Sequence, residues 1–209
     1  MAQPYKTPLR AAEVEFIEKK SRFISRIAPV SSEAKALAFL GEIRDTHRDA
    51  GHNVYAWRLK QGGLCRHSDD GEPSGTAGMP LLDVFLKQDV YDFCCVATRY
   101  YGGINLGAGG LVRAYSRCGT LALEASGVGV MREITQCVVT LPYALHEPAK
   151  RLISACGAEI TLELFGTEVE MKFSLPTEEF PALHGKFTEL TAGAISIRVA
   201  GKRMAALGG

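Results

Sequence analysis

TQCVVTLPYALHEPAKRLISACGAEITLELFGTEVEMKFSL, residues 135–175, is the stretch that decides the fold of the C-terminal part. TQCVVTLPY (135–143) predicts a strand, and HEPAKRLISAC (146–156) predicts a helix closed by Gly157. AEITLELF (158–165) and EVEMKFSL (168–175) predict two strands joined by a hairpin turn at Gly166-Thr167. A helix over about 178–191, starting near Pro181, and a last strand, AISIRVAG (194–201), complete the order β-α-β-β-α-β. That is the ferredoxin-like arrangement, a sheet with two helices on one face. It needs only about 70 residues, which is enough for a small domain.

Upstream the pattern changes. Residues 14–20 and 22–30 predict strands, and Ser31 or Ser32 caps a helix over about 33–46 that turns Leu37, Leu40 and Ile43 inward. NVYAWRL (53–59) predicts a strand with Tyr55 and Trp57 on one face. A turn-rich loop, HSDDGEPSGTAG (67–78), precedes a helix near 79–88. YDFCCVATRYY (91–101) is a continuous apolar run, hence a buried strand, and adjacent Cys94 and Cys95 point to opposite faces of it. GGINLGAGG (102–110) is a glycine-rich turn into an amphipathic helix over 111–125, stopped by Gly127. The reading is therefore an α+β chain of two domains, residues 1–130 and 131–209.

Composition bounds the function. The chain has 209 residues, 46% hydrophobic and 22% charged, with a formal net charge of +1. Such a chain buries roughly 70% of its unfolded surface without covalent staples, which excludes intrinsic disorder. No run of about 18 apolar residues predicts a membrane-spanning helix. Residues 1–130 carry 16 Lys+Arg against 14 Asp+Glu, and residues 131–209 carry 8 against 9, so neither part is a polycation. Anion binding must come from local clusters. The six cysteines form no CxxC pair, and MAQPYKTPLRAAEVEF at the start has no apolar signal core. The expectation is a cytoplasmic protein with free thiols, no metal site, no cofactor and no membrane partner.

RYYGGINLGAGGLVRAY (99–115) carries most of the chemistry. A buried strand runs through Gly102, Gly103, Gly107, Gly109 and Gly110 into a helix whose first turn holds no acid. A helix start leaves backbone N–H groups unpaired, and its dipole favours an anion there. Arg113 lies in or just past the first turn, Arg117 one turn later on the same face, and Arg99 closes the strand before the loop. The pattern is neither GxxxxGK[ST] nor a dinucleotide fingerprint. The structural alternative is a strand-to-helix crossover with solvated arginines.

Asp69, Asp70 and Glu72 crowd the acidic loop. Three carboxylates can hold Mg²⁺, but positioning a nearby cation such as Arg99, or plain turn chemistry with Ser74 or Thr76 capping the next helix, fits better. In KKSRFISR, Lys20, Arg22 and Arg26 alternate onto one strand face around Ile24, a basic stripe that can track a phosphate backbone. His47, His52 and His67 fall in no catalytic spacing, although His47 and His52 flank one turn.

KKSRFI (19–24), HRDAGHNVYAW (47–57), SDDGEPSGTAG (68–78) and RYYGGINLGAGGLVRAY (99–115), in this order, resemble the signature segments of the IMPACT/YigZ family. The β-α-β-β-α-β unit resembles the second domain of its bacterial two-domain members. The resemblance implies a first domain like the second domain of a small-subunit ribosomal protein and domain IV of elongation factor G. It implies a second domain like domain V of that factor. Eukaryotic relatives act in translational control under amino-acid starvation and carry a further N-terminal interaction domain, which is not expected here. The implied role is non-enzymatic binding of RNA or the ribosome in translation regulation. One alternative is an enzyme acting on a small phosphorylated or nucleotide substrate at the glycine-rich loop, which requires that loop and the acidic loop to converge. The other is a protein–protein interaction regulator, which requires an exposed apolar patch.

Overall fold

A computed structural model describes residues 3–208 of the chain. The chain divides into two compact units, Tyr5–Met131 and Arg132–Ala205, with the residues from Ala206 grouping with the first. Both mix strands and helices, so the chain is α+β with two sheets.

In the first unit, β2 (Ala12–Glu18), β3 (Ser21–Pro29), β4 (His52–Arg58), β5 (Cys65–Ser68) and β6 (Phe93–Tyr100) form an antiparallel sheet of order β2-β3-β6-β4-β5. Its strands alternate side chains between two cores. Phe23, Ile27, Ala56, Cys95 and Ala97 meet α2 (Gly78–Lys87) and α3 (Ala108–Ser126) through Leu81, Phe85, Leu111 and Tyr115. Trp57, Cys94 and Val96 meet α1 (Glu33–Thr46) through Ala36, Leu40 and Ile43. Burying such side chains stabilises by roughly 1.5–3 kcal/mol each, so two cores on one sheet hold β6 as a rigid platform. Cys94 and Cys95 do face opposite sides, and Trp57 is core. Leu37, expected to point inward, is 53% exposed, because α1 buries only Ala36, Leu40 and Ile43.

β7 (Val128–Leu141), which enters the second unit at Arg132, α4 (Tyr143–Ala155), β8 (Glu159–Phe165), β9 (Val169–Pro176), α5 (Phe180–Leu190) and β10 (Arg198–Gly208), which leaves it after Ala205, follow in order. β7 pairs with β10 and with β9, and β9 pairs with β8. The strand order β10-β7-β9-β8 is the one a split β-α-β unit produces. Cys137, Val139 and Leu141 on β7 and Val169, Met171, Phe173 and Leu175 on β9 point every second residue onto Ile153, Leu183 and Phe187 of the helices.

Several boundaries differ from the sequence reading. Two four-residue strands were not expected. These are β1 (Tyr5–Pro8), which pairs with the start of β7, and β5 at the sheet edge, whose pairing at Ser68 takes in the first residues of the segment read as a loop. β10 starts at Arg198 rather than 194, because Ala192 and Gly193 take positive φ and carry the chain through a turn. α3 starts at Ala108, three residues earlier than its apolar pattern shows. Glycine is tolerated there because the first turn makes few internal hydrogen bonds.

Candidate functional site

The start of α3 is bare. Gly107 takes φ 73°, a left-handed conformation that glycine supplies freely, and turns the chain from the loop into the helix. Its carbonyl accepts from Leu111 N–H at 2.9 Å, but no side chain caps the helix. Among the described residues, the amides of Ala108, Gly109 and Gly110 have no acceptor. Beginning at Ala108 places Arg113 in the second turn, and its Nη1 reaches back to lie 3.6 Å from where a Gly109 Cβ would stand. The other glycines have different reasons. A Cβ on Gly102 would stand 2.0 Å from the Lys20 carbonyl, so this glycine lets the loop lie against the β2–β3 turn. Gly103 takes φ 82°. Gly110 lies close over the Leu106 side chain.

The three acidic-loop carboxylates are each used by protein donors. Asp69 Oδ1 accepts from the amides of Ala77 (3.0 Å) and Gly78 (2.8 Å), and Oδ2 accepts from Gly75 (2.9 Å). Asp69, rather than Ser74 or Thr76, therefore caps α2, while Thr76 Oγ1 donates to the Pro73 carbonyl. Burial raises the Asp69 pKa, but the three backbone donors outweigh it and hold the carboxyl below its usual value. Asp70 pairs with Arg44 at 2.7 Å and accepts from the Asn53 amide at 2.6 Å. Glu72 is buried, and its Oε1 accepts from Arg99 Nη1 at 2.7 Å and from Tyr115 OH at 2.8 Å. Glu72 thus holds Arg99, which fits the cation-positioning reading of the acidic loop, while Asp69 fits the turn-chemistry reading. No group of three metal ligands occurs among the described residues.

These pairings bring the acidic and glycine-rich loops onto one cleft of about 480 Å³. His52, Glu72, Arg99, Tyr101, Gly107 and Ala108 line it. Arg99 is only 5% exposed; its Nη2 donates to Ser21 Oγ at 3.2 Å, and its Nε, also buried, has no partner. His52 Nδ1 lies 2.8 Å from the Asp70 carbonyl, which only accepts, so Nδ1 carries the proton. Its Nε2 stands 3.9 Å from Glu72, beyond hydrogen-bond reach.

A smaller groove of about 170 Å³ is lined by Glu18, Lys19, Gly110, Arg113 and Arg117. Arg117 lies over the Phe16 ring at 4.4 Å and 3.9 Å from Glu18. Arg113, Lys19 and Lys20 are exposed and make no ion pair among the described residues. The stripe on β3 is different. Arg22 forms a two-point pair with Glu15 at 2.8 Å per bond, and Arg26 pairs with Glu13 at 2.6 Å. The β2–β3 register sets acids against both strand arginines, so these two are charge-matched, whereas Lys20, expected on the same strand face, lies outside β3 in the β2–β3 turn with φ 66°.

His47 and His52 join separate networks. His47 bonds to Arg26 and, through Nδ1 at 2.8 Å, to the Tyr100 hydroxyl, which donates to Asp49. Burial, then the Arg26 charge, lowers its pKa. No cysteine is an activated thiol among those with a resolved shift. Burial pushes Cys137 up to about 11 and Cys95 to about 12. Sequence reading missed Lys19, Tyr101, Tyr115 and Ser21 as parts of the site. The tyrosines lay inside the quoted 99–115 segment, but nothing local marked their partners.

Two family models match: the Impact N-terminal domain over residues 19–123, and a domain of unknown function, DUF1949, over residues 139–194. The chain is 44% identical to IMPACT family member YvyE of Bacillus subtilis over 61% of its own length and 59% of that protein. It is 32% identical to IMPACT family member YigZ of Escherichia coli, over 90% of this chain and 94% of that protein. Similarity to Protein IMPACT of Bos taurus, 32% identical, covers 45% of this chain and 31% of that one. A crystal structure described as that of an hypothetical protein matches with a TM-score of 0.61 at 30% identity, covering 94% of this chain and 97% of the other. No helix of the described residues is long and apolar enough to cross a membrane.

Proposed function

The chain belongs to the IMPACT family, and from that premise we propose that it binds RNA through the phosphate backbone, on the ribosome or another ribonucleoprotein, in a translation-related role without catalysing a reaction. The observation that carries this reading is the groove of Lys19, Arg113 and Arg117 beside the uncapped start of α3. Among the described residues, two of its three cations have no counter-ion, so they can release condensed ions from a polyanion at little cost to the fold. The free amides add donors that phosphate oxygens accept. Within this reading, the first unit stands for the domain IV-like fold and the second for the ferredoxin-like, domain V-like fold of an elongation factor G.

The test is RNA affinity as a function of salt. Each phosphate contact lowers log K by about 0.7–0.9 per log unit of salt. Lys19→Glu and Arg113→Glu should each weaken binding at low salt and reduce the slope by about one contact. No RNA binding at low salt, or a slope that both substitutions leave unchanged, overturns the reading.

A further inference from the structure

We infer that the cleft lined by His52, Glu72 and Tyr101 binds the vicinal diol of a ribose, the sugar edge of a ribonucleoside, and that it does so without the groove that carries the RNA reading. Glu72 supplies one acceptor. Its Oε1 takes Arg99 Nη1 and the Tyr115 hydroxyl, whereas Oε2 takes no donor among the described residues. The side chain is only 3% exposed, yet Oε2 is not shut off from solvent, and the cleft is where Glu72 meets solvent. His52 supplies the other acceptor. The Asp70 carbonyl holds its Nδ1 proton at 2.8 Å, so the neutral ring presents Nε2 as a bare lone pair. That Nε2 stands 3.9 Å from Glu72 Oε1 and takes no donor among the described residues. A carboxylate oxygen and a ring nitrogen thus lie side by side in one cleft, each still lacking the donor that a polar atom in such a place needs.

Charge and donor count select the ligand. An anion placed between these two atoms meets a carboxylate and a lone pair, and both repel it. A cation finds the Glu72 charge already matched by Arg99 at 2.7 Å, and a metal ion finds no set of three ligands among the described residues. A neutral group with two adjacent O–H donors fits, one for Glu72 Oε2 and one for His52 Nε2. The 2′- and 3′-hydroxyls of ribose are such a group, and a carboxylate is what meets the ribose hydroxyl in dinucleotide sites. Tyr101 adds a surface for the base. It is 54% exposed, and its ring is held by donation from its hydroxyl to Asn105 at 3.2 Å and by the Arg99 guanidinium 5.4 Å from the ring centre. The cleft volume of about 480 Å³ falls among pockets that hold small organic ligands, roughly 300–1,000 Å³. Two sources share this chemistry: a free ribonucleoside, and the 3′-terminal residue of an RNA, whose two hydroxyls are both free.

The experiment titrates the full chain with adenosine, 2′-deoxyadenosine and 3′-deoxyadenosine by calorimetry, while NMR follows the His52 ring protons. Adenosine should bind and shift the His52 signals. Each deoxy analogue should bind about tenfold more weakly or worse, because a missing hydroxyl leaves a site acceptor unpaired. His52→Asn keeps a donor for the Asp70 carbonyl and removes the Nε2 acceptor, so one deoxy analogue should come within about twofold of adenosine. Tyr101→Ala should weaken all three nucleosides alike by about tenfold, since it removes the base surface and leaves the sugar contacts. An RNA oligomer ending in ribose, compared with the same oligomer ending in 3′-deoxyribose, separates the sources. A preference for the diol confined to the oligomer assigns the cleft to RNA 3′ ends, one confined to adenosine assigns it to the free nucleoside, and one seen in both assigns it to either. No preference in either, or one that His52→Asn leaves intact against both analogues, overturns the inference. Lys19→Glu and Arg113→Glu should leave the preference unchanged. RNA binding whose salt slope ignores those two substitutions removes the groove and keeps the cleft, whereas groove binding with no diol preference does the reverse.

Discussion

Glu72 and Arg99, 27 positions apart in sequence, form a buried ion pair at 2.7 Å that ties the acidic loop to the last residues of β6. Their side chains are 3% and 6% exposed, and Tyr115 of α3 donates to the same carboxylate oxygen. Burial, then the Glu72 charge, pushes the Tyr115 phenol upward, which keeps it a donor. Three walls of the cleft therefore hang on one carboxylate. Glu72→Gln keeps the shape but leaves a buried guanidinium without its counter-charge, a loss of about 3–5 kcal/mol. Urea denaturation should show it as a lower midpoint. Adding Arg99→Met should cost much less than the sum of the two single changes, because it removes the stranded charge. Additive losses would show that the pair is not coupled.

Asp69 gives a prediction about acid. Its carboxylate holds the amides of Ala77 and Gly78 at the start of α2, whose N-cap residue offers no side-chain cap, and that of Gly75 in the loop before it. Its pKa in the folded chain is depressed, so its contribution is complete above the unfolded Asp value, about 3.9, and is lost as pH falls through the lower folded value. Asp69→Asn should cost about 1 kcal/mol at neutral pH. It should also remove part of the stability decline below about pH 4. Thermal melts of both proteins from pH 7 to pH 2 check this, and parallel curves would contradict it.

Much of the framework was legible because it is periodic. Positions 137, 139 and 141 of β7 and the odd positions of β9 are apolar, and the twofold alternation of β4 separates the two cores of the first sheet. The convergence of the acidic loop on Arg99 was also within reach, since a buried strand ending in arginine needs a partner. What failed was register and reach. Glu13 and Glu15 were visible beside Arg22 and Arg26, yet only the β2–β3 pairing shows that each acid meets a base. Asp69 caps a helix from eight and nine residues away, whereas local patterns place the cap within three residues. β1 and β5 have four residues each, too few to show a period.

Two glycines of one loop should behave oppositely. A Cβ on Gly102 would meet the Lys20 carbonyl carbon and oxygen at 2.1 and 2.0 Å, both backbone atoms. Gly102→Ala should therefore cost at least about 2 kcal/mol by forcing the β2–β3 turn off the loop. A Cβ on Gly109 meets only the flexible end of Arg113 at 3.6 Å. Gly109→Ala should stabilise α3 by up to about 1 kcal/mol and keep the amide that an anion would use. Denaturation midpoints for the two variants, compared with the parent, decide the point. A stable Gly102→Ala would mean that the loop does not need the close approach.

The charge-matched arginines of β3 and the unmatched groove make the sharpest functional contrast. Arg22 already gives two hydrogen bonds to Glu15, an exposed pair that lowers the Glu15 pKa through those bonds. A phosphate must compete with that carboxylate to recruit it. Among the described residues, Arg113 and Lys19 have no such competitor. Arg22→Ala should therefore change RNA affinity by less than about threefold, while Arg113→Ala lowers it by an order of magnitude at low salt, about 1.4 kcal/mol. Glu15→Gln releases Arg22 and should raise RNA affinity, with a salt slope steeper by up to one contact. Filter-binding titrations at two salt concentrations measure all three. Equal losses for Arg22→Ala and Arg113→Ala would move the RNA path from the α3 groove onto the face of β3.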